Sequence, residues 1–142
     1  MKLKHLFESE FLTSKEEVEK FLDNFGIRNY TIHDNLIVDV NGSVDISYAR
    51  LAVIPVKFGT VSDSFICSSN RLTSLIGSPR EVGRDFNCRY NNLTSLAGAP
   101  REVGGNFYCA YNKLTSLKGS PQAVGGDFGC SFNELTSLKG AP

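Results

Sequence analysis

A repeated segment of 21 residues constrains the fold of this chain more than any other feature of the sequence. Four copies of F-x-C-x-x-N-x-L-T-S-L-x-G-x-P begin at Phe65, Phe86, Phe107 and Phe128, with no residue gained or lost between them. A unit this short cannot bury its own apolar residues, so consecutive units must stack and bury them together. The repeat therefore predicts a solenoid in which each unit forms one coil.

The spacing inside the repeat indicates the shape of a coil. Phe and Cys are separated by one residue, which places both on the same face of a short strand. Parallel pairing of these strands sets each repeated residue about 4.8 Å from its counterpart in the next coil. The Gly and Pro positions turn the chain on the far side, which is too short for a helix. We therefore predict a mostly β repeat solenoid. Its apolar columns are Phe65, Phe86, Phe107 and Phe128; Cys67, Cys88, Cys109 and Cys130; Leu72, Leu93, Leu114 and Leu135; and Leu75, Leu96, Leu117 and Leu138.

A weaker copy precedes the four regular ones. One repeat length before the first Phe lies Val44, and Ile46 occupies the Cys position. Ala49 replaces the Asn and Phe58 replaces the Pro, so this copy keeps the apolar positions and loses the turn residues. Terminal repeats are commonly atypical. The predicted solenoid therefore covers residues 44–142, with one degenerate coil before four regular coils.

The frame F-x-C-x-x-N-x-L-T-S-L resembles the leucine-rich repeat, L-x-L-x-x-N-x-L-x-x-L, with Phe and Cys in the first two Leu positions. Its 21-residue period is similar to that of the short, bacterial type. The pattern LTSLxGxPxxVGGxFxC further resembles repeat proteins encoded by large tailed bacteriophages. The resemblance is strong over 44–142 and extends to the lead-in before it. It implies parallel strands with an irregular convex side, on a scaffold whose binding target differs from protein to protein.

Residues 1–43 are predicted to form an α/β N-terminal cap. Ser14 and Glu17 make a capping box, apolar residues follow at helical spacing, and Gly26 stands where a helix commonly ends. We expect a helix over about 15–24. A unit of this kind covers the open edge of the first coil, which would otherwise expose unpaired backbone groups.

The rest of the cap is predicted from shorter signals. Apolar residues near the N-terminus suit a first helix over about 2–10. The pair Asp34 and Asn35 and the pair Asn41 and Gly42 are hairpin turn signals. The predicted strands cover 30–32, 36–40 and 44–46.

The repeated cysteines and asparagines are interpreted as structural. The cysteines recur at the repeat length, unlike the closely spaced pairs of zinc sites, and they alternate with Phe as small buried hydrophobic residues do. In an intracellular chain they are expected to stay reduced. The asparagines are expected to bind backbone groups that the corner leaves unpaired. We therefore predict no metal site and no cofactor.

The sequence predicts that the protein is not an enzyme. It contains no G-x-S-x-G, P-loop or H-E-x-x-H motif. Asp85 and Asp127 share a column but lie two coils apart, about 10 Å, which is too far for acid–base catalysis. The only histidines, His5 and His33, lie in the cap without a nucleophile motif. An enzyme would need a pocket around His33 and Asp34, which nothing in the spacing supports.

Charge and hydropathy limit the classes of partner. The chain has 15 basic and 15 acidic side chains. It lacks the dense set of Lys and Arg side chains that nucleic-acid binding usually needs, which disfavours nucleic acid as a partner. No apolar run is long enough to cross a bilayer, and the N-terminus does not have the pattern of a signal peptide. We expect a cytoplasmic protein with no membrane partner, located in the host cytoplasm if it is phage-encoded.

Positions that the repeat leaves free predict the binding surface. Residues flanking Phe and Cys point to the open face of each strand, and the residue before Asn is aromatic in three successive coils. Tyr and Arg are the residue types enriched in protein-binding hot spots. We therefore predict a protein-binding module, with the alternative that these rings only shelter the edge of the core. The candidate partner-binding residues are Asp85, Asn87, Arg89, Tyr90, Tyr108, Tyr111 and Phe132.

Two roles suit such a module. If the phage resemblance holds, the partner is a host protein, and binding inhibits a defence or housekeeping system. The alternative is a structural or self-assembling component of a virion or homo-oligomer. The last repeat stops at Pro142 without a cap, so its apolar residues are expected to face another copy, as in a homodimer through the C-terminal coil, or to fray.

Overall fold

The computed structural model describes residues 11–142 and shows a β-solenoid preceded by one helix, which confirms the predicted fold class. The first helix predicted over 2–10 lies outside the described residues. Helix α1 spans Lys15–Asn24, and the strands are β1 Tyr30–Ile32, β2 Val38–Val40, β3 Val44–Asp45, β4 Phe58–Val61, β5 Phe65–Ile66, β6 Glu81–Val82, β7 Phe86–Asn87, β8 Glu102–Val103, β9 Phe107–Tyr108, β10 Ala123–Val124 and β11 Phe128–Gly129.

The predicted cap helix is confirmed, with both of its end signals. Ser14 Oγ accepts a hydrogen bond from Glu17 N–H at 3.1 Å, and Ser14 Oγ–H donates to Glu17 Oε1 at 3.0 Å. Gly26 follows the helix with a φ of 66°, and its N–H donates to the carbonyl of Asp23. The helix buries Val18 and Leu22 at the end of the stack. It therefore extends the apolar core and covers the first coils.

Strands β1 and β2 form the hairpin expected at Asp34 and Asn35. They pair antiparallel, and inside the turn the N–H of His33 donates to the carbonyl of Ile37 at 2.9 Å. Strand β2 begins later than predicted, because Leu36 has a φ of 67°. That left-handed conformation does not fit an extended strand.

The second predicted hairpin, at Asn41 and Gly42, is wrong. Strand β2 belongs to one sheet and β3 to the other, so the chain turns a corner here instead of reversing. The same pair of repeat positions forms this corner in every later coil, for example at Gly104 and Gly105. The strands on both sides of the corner point side chains into the same interior. These side chains are therefore buried on both sides of the corner.

The regular coils that begin at Phe65, Phe86 and Phe107 each contribute one short strand to each of two sheets, and the last described coil contributes one strand, β11. The Phe sheet, β11-β9-β7-β5-β3, is parallel throughout, and its Phe residues pair directly with one another. The opposite sheet, β1-β2-β4-β6-β8-β10, is parallel apart from the hairpin. This second sheet lies on the side of the coil for which the resemblance to leucine-rich repeats implies irregular structure. Both sheets enclose a single core.

The core is a set of identical side chains stacked coil upon coil. The rings of Phe65, Phe86, Phe107 and Phe128 follow one another at centroid distances of 5.5, 5.3 and 5.2 Å and are almost parallel. The leucine columns of the inner coils lie beside them and are fully buried. A Cβ added at Gly104 would overlap the carbonyl oxygen of Gly83, so a glycine is needed where the coils approach most closely.

The asparagine column joins successive coils at the corner that follows the Phe sheet. The amide of Asn91 donates to the carbonyls of Cys67 and Cys88, both at 3.1 Å, and its oxygen accepts from Leu72 N–H at 3.0 Å. The same bonds recur at Asn112 one coil later. The predicted structural role is confirmed, since each Asn satisfies buried backbone groups of two coils.

Candidate binding surface

One exposed column lies at the corner where each coil leaves the Phe sheet. It consists of the residue before each Asn position: Tyr48, Ser69, Tyr90, Tyr111 and Phe132. All five have φ angles between 54° and 59°. The N–H groups of the first four members each donate to a carbonyl of the next coil, so the column is continuous along the stack. We call it the corner column.

The backbone of the corner column does not favour aromatic residues. In the left-handed region the Cβ of an L-residue crowds the following carbonyl, which costs about 1–2 kcal/mol per residue and favours Gly or Asn. The chain nevertheless places Tyr or Phe at four of the five positions. Stability of the corner therefore does not explain the choice of side chain.

The rings of three successive members form an exposed stack. Tyr90 and Tyr111 lie 4.4 Å apart between ring centroids with planes 11° apart, and Tyr111 and Phe132 lie 4.4 Å apart with planes 7° apart. Tyr90 is 53% exposed, Tyr111 40% and Phe132 69%. The neighbouring rings hold one another in place, and their outer edges face solvent.

A second cluster extends this stack onto the open face of the Phe sheet. The guanidinium of Arg89 lies over the ring of Tyr108 at 3.9 Å, and the amide of Asn106 donates to the Tyr108 hydroxyl at 2.7 Å. Arg89 directly precedes Tyr90, so the two clusters are adjacent. Together they place five of the predicted site residues on one surface: Arg89, Tyr90, Tyr108, Tyr111 and Phe132.

The other two predicted residues bind backbone of their own chain. Asp85 Oδ1 accepts from the N–H of Asn106 in the next coil at 2.8 Å, and Asn87 Oδ1 accepts from Arg89 N–H at 3.0 Å. Both side chains are half-buried. Their acceptor oxygens therefore link coils and shape the strand end, which leaves them less free to bind a partner.

Sequence reasoning missed Tyr48, which belongs to the corner column of the degenerate coil. It lies one repeat length before Ser69 and is 82% exposed. The repeat spacing was a sufficient signal to find it. Tyr48 belongs neither to the apolar positions nor to the turn positions of the repeat, which are the most regular signals in the sequence.

The cysteines of the core and Asp39 have shifted pKa values because of burial and of hydrogen bonds within the fold. Burial raises the pKa of the Cys67 and Cys88 thiols, and raises that of Cys109 to about 12. His33 Nε2 lies 2.7 Å from Asp39 Oδ2, and this hydrogen bond is the main cause that lowers the pKa of Asp39. Asp39 also accepts from Thr60 N–H, which ties β2 to β4. Within residues 11–142, no group of three or more His, Cys, Asp or Glu side chains could hold a metal ion.

Comparisons with known proteins found no protein family, no curated protein and no solved structure that matches the chain. The described part of the chain also has no helix of the length and apolarity required to cross a bilayer.

Proposed function

We propose that the chain is a non-enzymatic protein-binding module that binds through the corner column and the Arg89–Tyr108 pair. The observation that carries this proposal is the exposed aromatic stack on left-handed backbone. Exposed rings lose contact with solvent when a partner covers them, and Tyr and Arg contribute disproportionately to such interfaces. The coil imposes the left-handed backbone, and binding accounts for the aromatic side chains that it carries.

The stack is also preorganised for association. Each ring is restricted by its neighbour at 4.4 Å, so little side-chain freedom is lost when a partner docks. Arg89 is held over Tyr108 in the same way and keeps a positive charge at the edge of the stack. The surface therefore suits a partner with apolar groups and neighbouring acidic side chains.

The identity of the partner is proposed from resemblance alone. The LTSLxGxP pattern resembles short leucine-rich repeats and the repeat proteins of tailed phages, which favours a bacterial host protein in the cytoplasm as target. In this form of the proposal, binding inhibits a defence or housekeeping protein of the host.

The proposal is tested by affinity purification from bacterial lysate, with mass spectrometry to quantify captured proteins. The test variant combines Arg89→Ala, Tyr90→Asn and Tyr111→Asn, with Asn chosen because it tolerates the left-handed backbone. The matched control is Thr94→Ala with Thr115→Ala, two exposed residues of the same coils. We expect a partner captured by the wild type and control and lost with the test variant. Equal recovery with all three proteins would contradict the surface assignment.

Self-association through the last coil is a second candidate function. Phe128 and Leu135 are partly exposed, although their counterparts in the inner coils are fully buried, and Leu138 is 67% exposed. A second copy could cover these side chains. Light scattering after size exclusion tests this: a dimer that becomes monomeric on Leu138→Asp supports it, and a monomer at high micromolar concentration contradicts it.

A further inference from the structure

The corner column is interrupted at one position. Ser69 lies between Tyr48 and Tyr90, and it has the same left-handed backbone as both, with a φ of 55°. The N–H of Tyr48 donates to the carbonyl of Ser68, and that of Ser69 donates to the carbonyl of Arg89. The three residues therefore occupy consecutive coils, and the middle one lacks a ring.

The missing ring leaves a gap of defined thickness. Occupied neighbours in this column are 4.4 Å apart. Two steps of a parallel ladder separate the positions of Tyr48 and Tyr90 by about 9–10 Å. One planar group inserted midway would lie about 5 Å from each tyrosine, within the range of aromatic stacking.

The exposure of the flanking rings is consistent with an open gap. Tyr48 is 82% exposed and Tyr90 53%, whereas Tyr111, which has a ring on both sides, is 40% exposed. Partial burial and then Tyr111 raise the pKa of Tyr90, against a smaller lowering by Arg89. Tyr48 and Tyr90 therefore keep exposed surface that a third ring between them would cover.

The charges around the gap favour an acidic ligand. Arg50 and Arg71 are exposed and follow Tyr48 and Ser69 by two residues each, and Arg89 precedes Tyr90. The two acidic side chains of the Tyr48 coil are already engaged: Asp45 accepts hydrogen bonds from the N–H and hydroxyl of Ser47, and Asp63 pairs with Arg84 at 3.4 Å. The coils on either side of the gap thus carry two exposed arginines, Arg50 and Arg71, and the guanidinium of Arg89 lies beyond Tyr90, over Tyr108.

We propose that the gap at Ser69 is a slot for one aromatic side chain of the partner, carried on an acidic segment. This inference rests on the proposed protein-binding function and specifies what the surface recognises. The ring of the ligand completes the column, and its acidic neighbours pair with Arg50, Arg71 and Arg89. An aromatic side chain is favoured over a nucleotide, because the column combines exposed Tyr with Arg, the residue types enriched at protein interfaces.

A synthetic peptide provides a direct test. The probe is acetylated and amidated Glu-Asp-Trp-Asp-Glu, and its fluorescence reports binding without interference because the protein contains no Trp. Ser69→Tyr fills the slot from within and should lower affinity for the peptide by about tenfold or more, the weight of one stacking contact. Its melting temperature should equal or exceed that of the wild type, because the added ring stacks on both neighbours. Ser69→Ala, the matched control, should bind like the wild type.

The remaining outcomes decide the proposal. Equal binding of the wild type and Ser69→Tyr, equal competition with the Trp peptide by a peptide with Ala in place of Trp, or no peptide binding at millimolar concentration would overturn it. Displacement of the Trp peptide by adenosine monophosphate at a lower concentration than by unlabelled Trp peptide would overturn it in favour of a nucleotide site. If Ser69→Tyr retains the partner captured from lysate while the Arg89, Tyr90 and Tyr111 variant loses it, the slot fails and the proposed function stands. If both variants retain the partner, both proposals fail.

Discussion

Two aromatic ladders run side by side along the solenoid, one inside it and one outside. The inner ladder, from Phe65 to Phe128, has ring distances of 5.2–5.5 Å and is fully buried in its first three members. The outer ladder, from Tyr90 to Phe132, has distances of 4.4 Å and is exposed. Similar stacking thus occurs in two environments in which burial contributes very differently to stability.

The two ladders also differ in how strictly the repeat is kept. The inner position is Phe in all four regular coils, since the same cavity must be filled each time. The outer position changes from Tyr48 to Ser69 and then to Tyr, Tyr and Phe, because packing does not decide it. Identity in every coil therefore reflects the fold, and variation on an unfavourable backbone supports the proposed binding surface.

The largest effect is expected from breaking the inner ladder. Phe86→Ala leaves a cavity between two stacked rings and should lower the free energy of unfolding by about 3–5 kcal/mol. Urea denaturation measures it. Phe128→Ala, where the ring is already partly exposed, should cost less than half as much. A loss below about 1 kcal/mol for Phe86→Ala would contradict the shared core.

A loss on the order of 3 kcal/mol is expected from Asn91→Ala. The substitution removes the acceptor of the buried N–H of Leu72 and one of the two amide donors to each of the carbonyls of Cys67 and Cys88, which keep those of Asn70 and Asn112. Thermal and urea unfolding measure the change. The neighbouring exposed Asn92→Ala serves as control and should be close to neutral. Equal stability of the two variants would show that the asparagine column is dispensable.

Gly104→Ala tests the close approach of the coils. The added Cβ overlaps the backbone of Gly83, so the coils must separate, and a loss of about 1–3 kcal/mol is expected. Gly129→Ala is the control, since its Cβ meets only Tyr108 Cδ1 at an ordinary 3.4 Å. If neither substitution lowers the free energy of unfolding, the close approach of the coils does not require glycine at position 104.

The smallest effect is expected for the rate at which a disulfide reagent modifies the buried thiols of the native protein. Burial raises the pKa of Cys67, Cys88 and Cys109, so at pH 8 these thiols are both protonated and shielded. A disulfide reagent should react with half-buried Cys130 about a hundredfold faster or more, and with all four after denaturation. Equally fast reaction of all four native cysteines would mean that the core opens readily.

Much of the fold could be predicted because each local signal agreed with the stacking of identical units. The capping box at Ser14 and the repeat length identified the helix and the coils correctly. The sequence does not distinguish the corner at Asn41 and Gly42 from a hairpin, since the same residue types suit any tight turn and only the sheet partners differ. The left-handed backbone under Tyr90 could not be predicted, because it arises from the coil and opposes the preference of the residue.

The central claim is that the outer ladder serves binding and contributes little to stability. The most direct test is the free energy of unfolding of the variant with Tyr90, Tyr111 and Phe132 all changed to Asn, measured by urea denaturation. Lost stacking, about 0.5–1.5 kcal/mol for each pair, is offset by relief of the left-handed backbone, so a change within about 1 kcal/mol is predicted. A loss as large as that of Phe86→Ala would show that the outer ladder holds the fold together and would contradict the account.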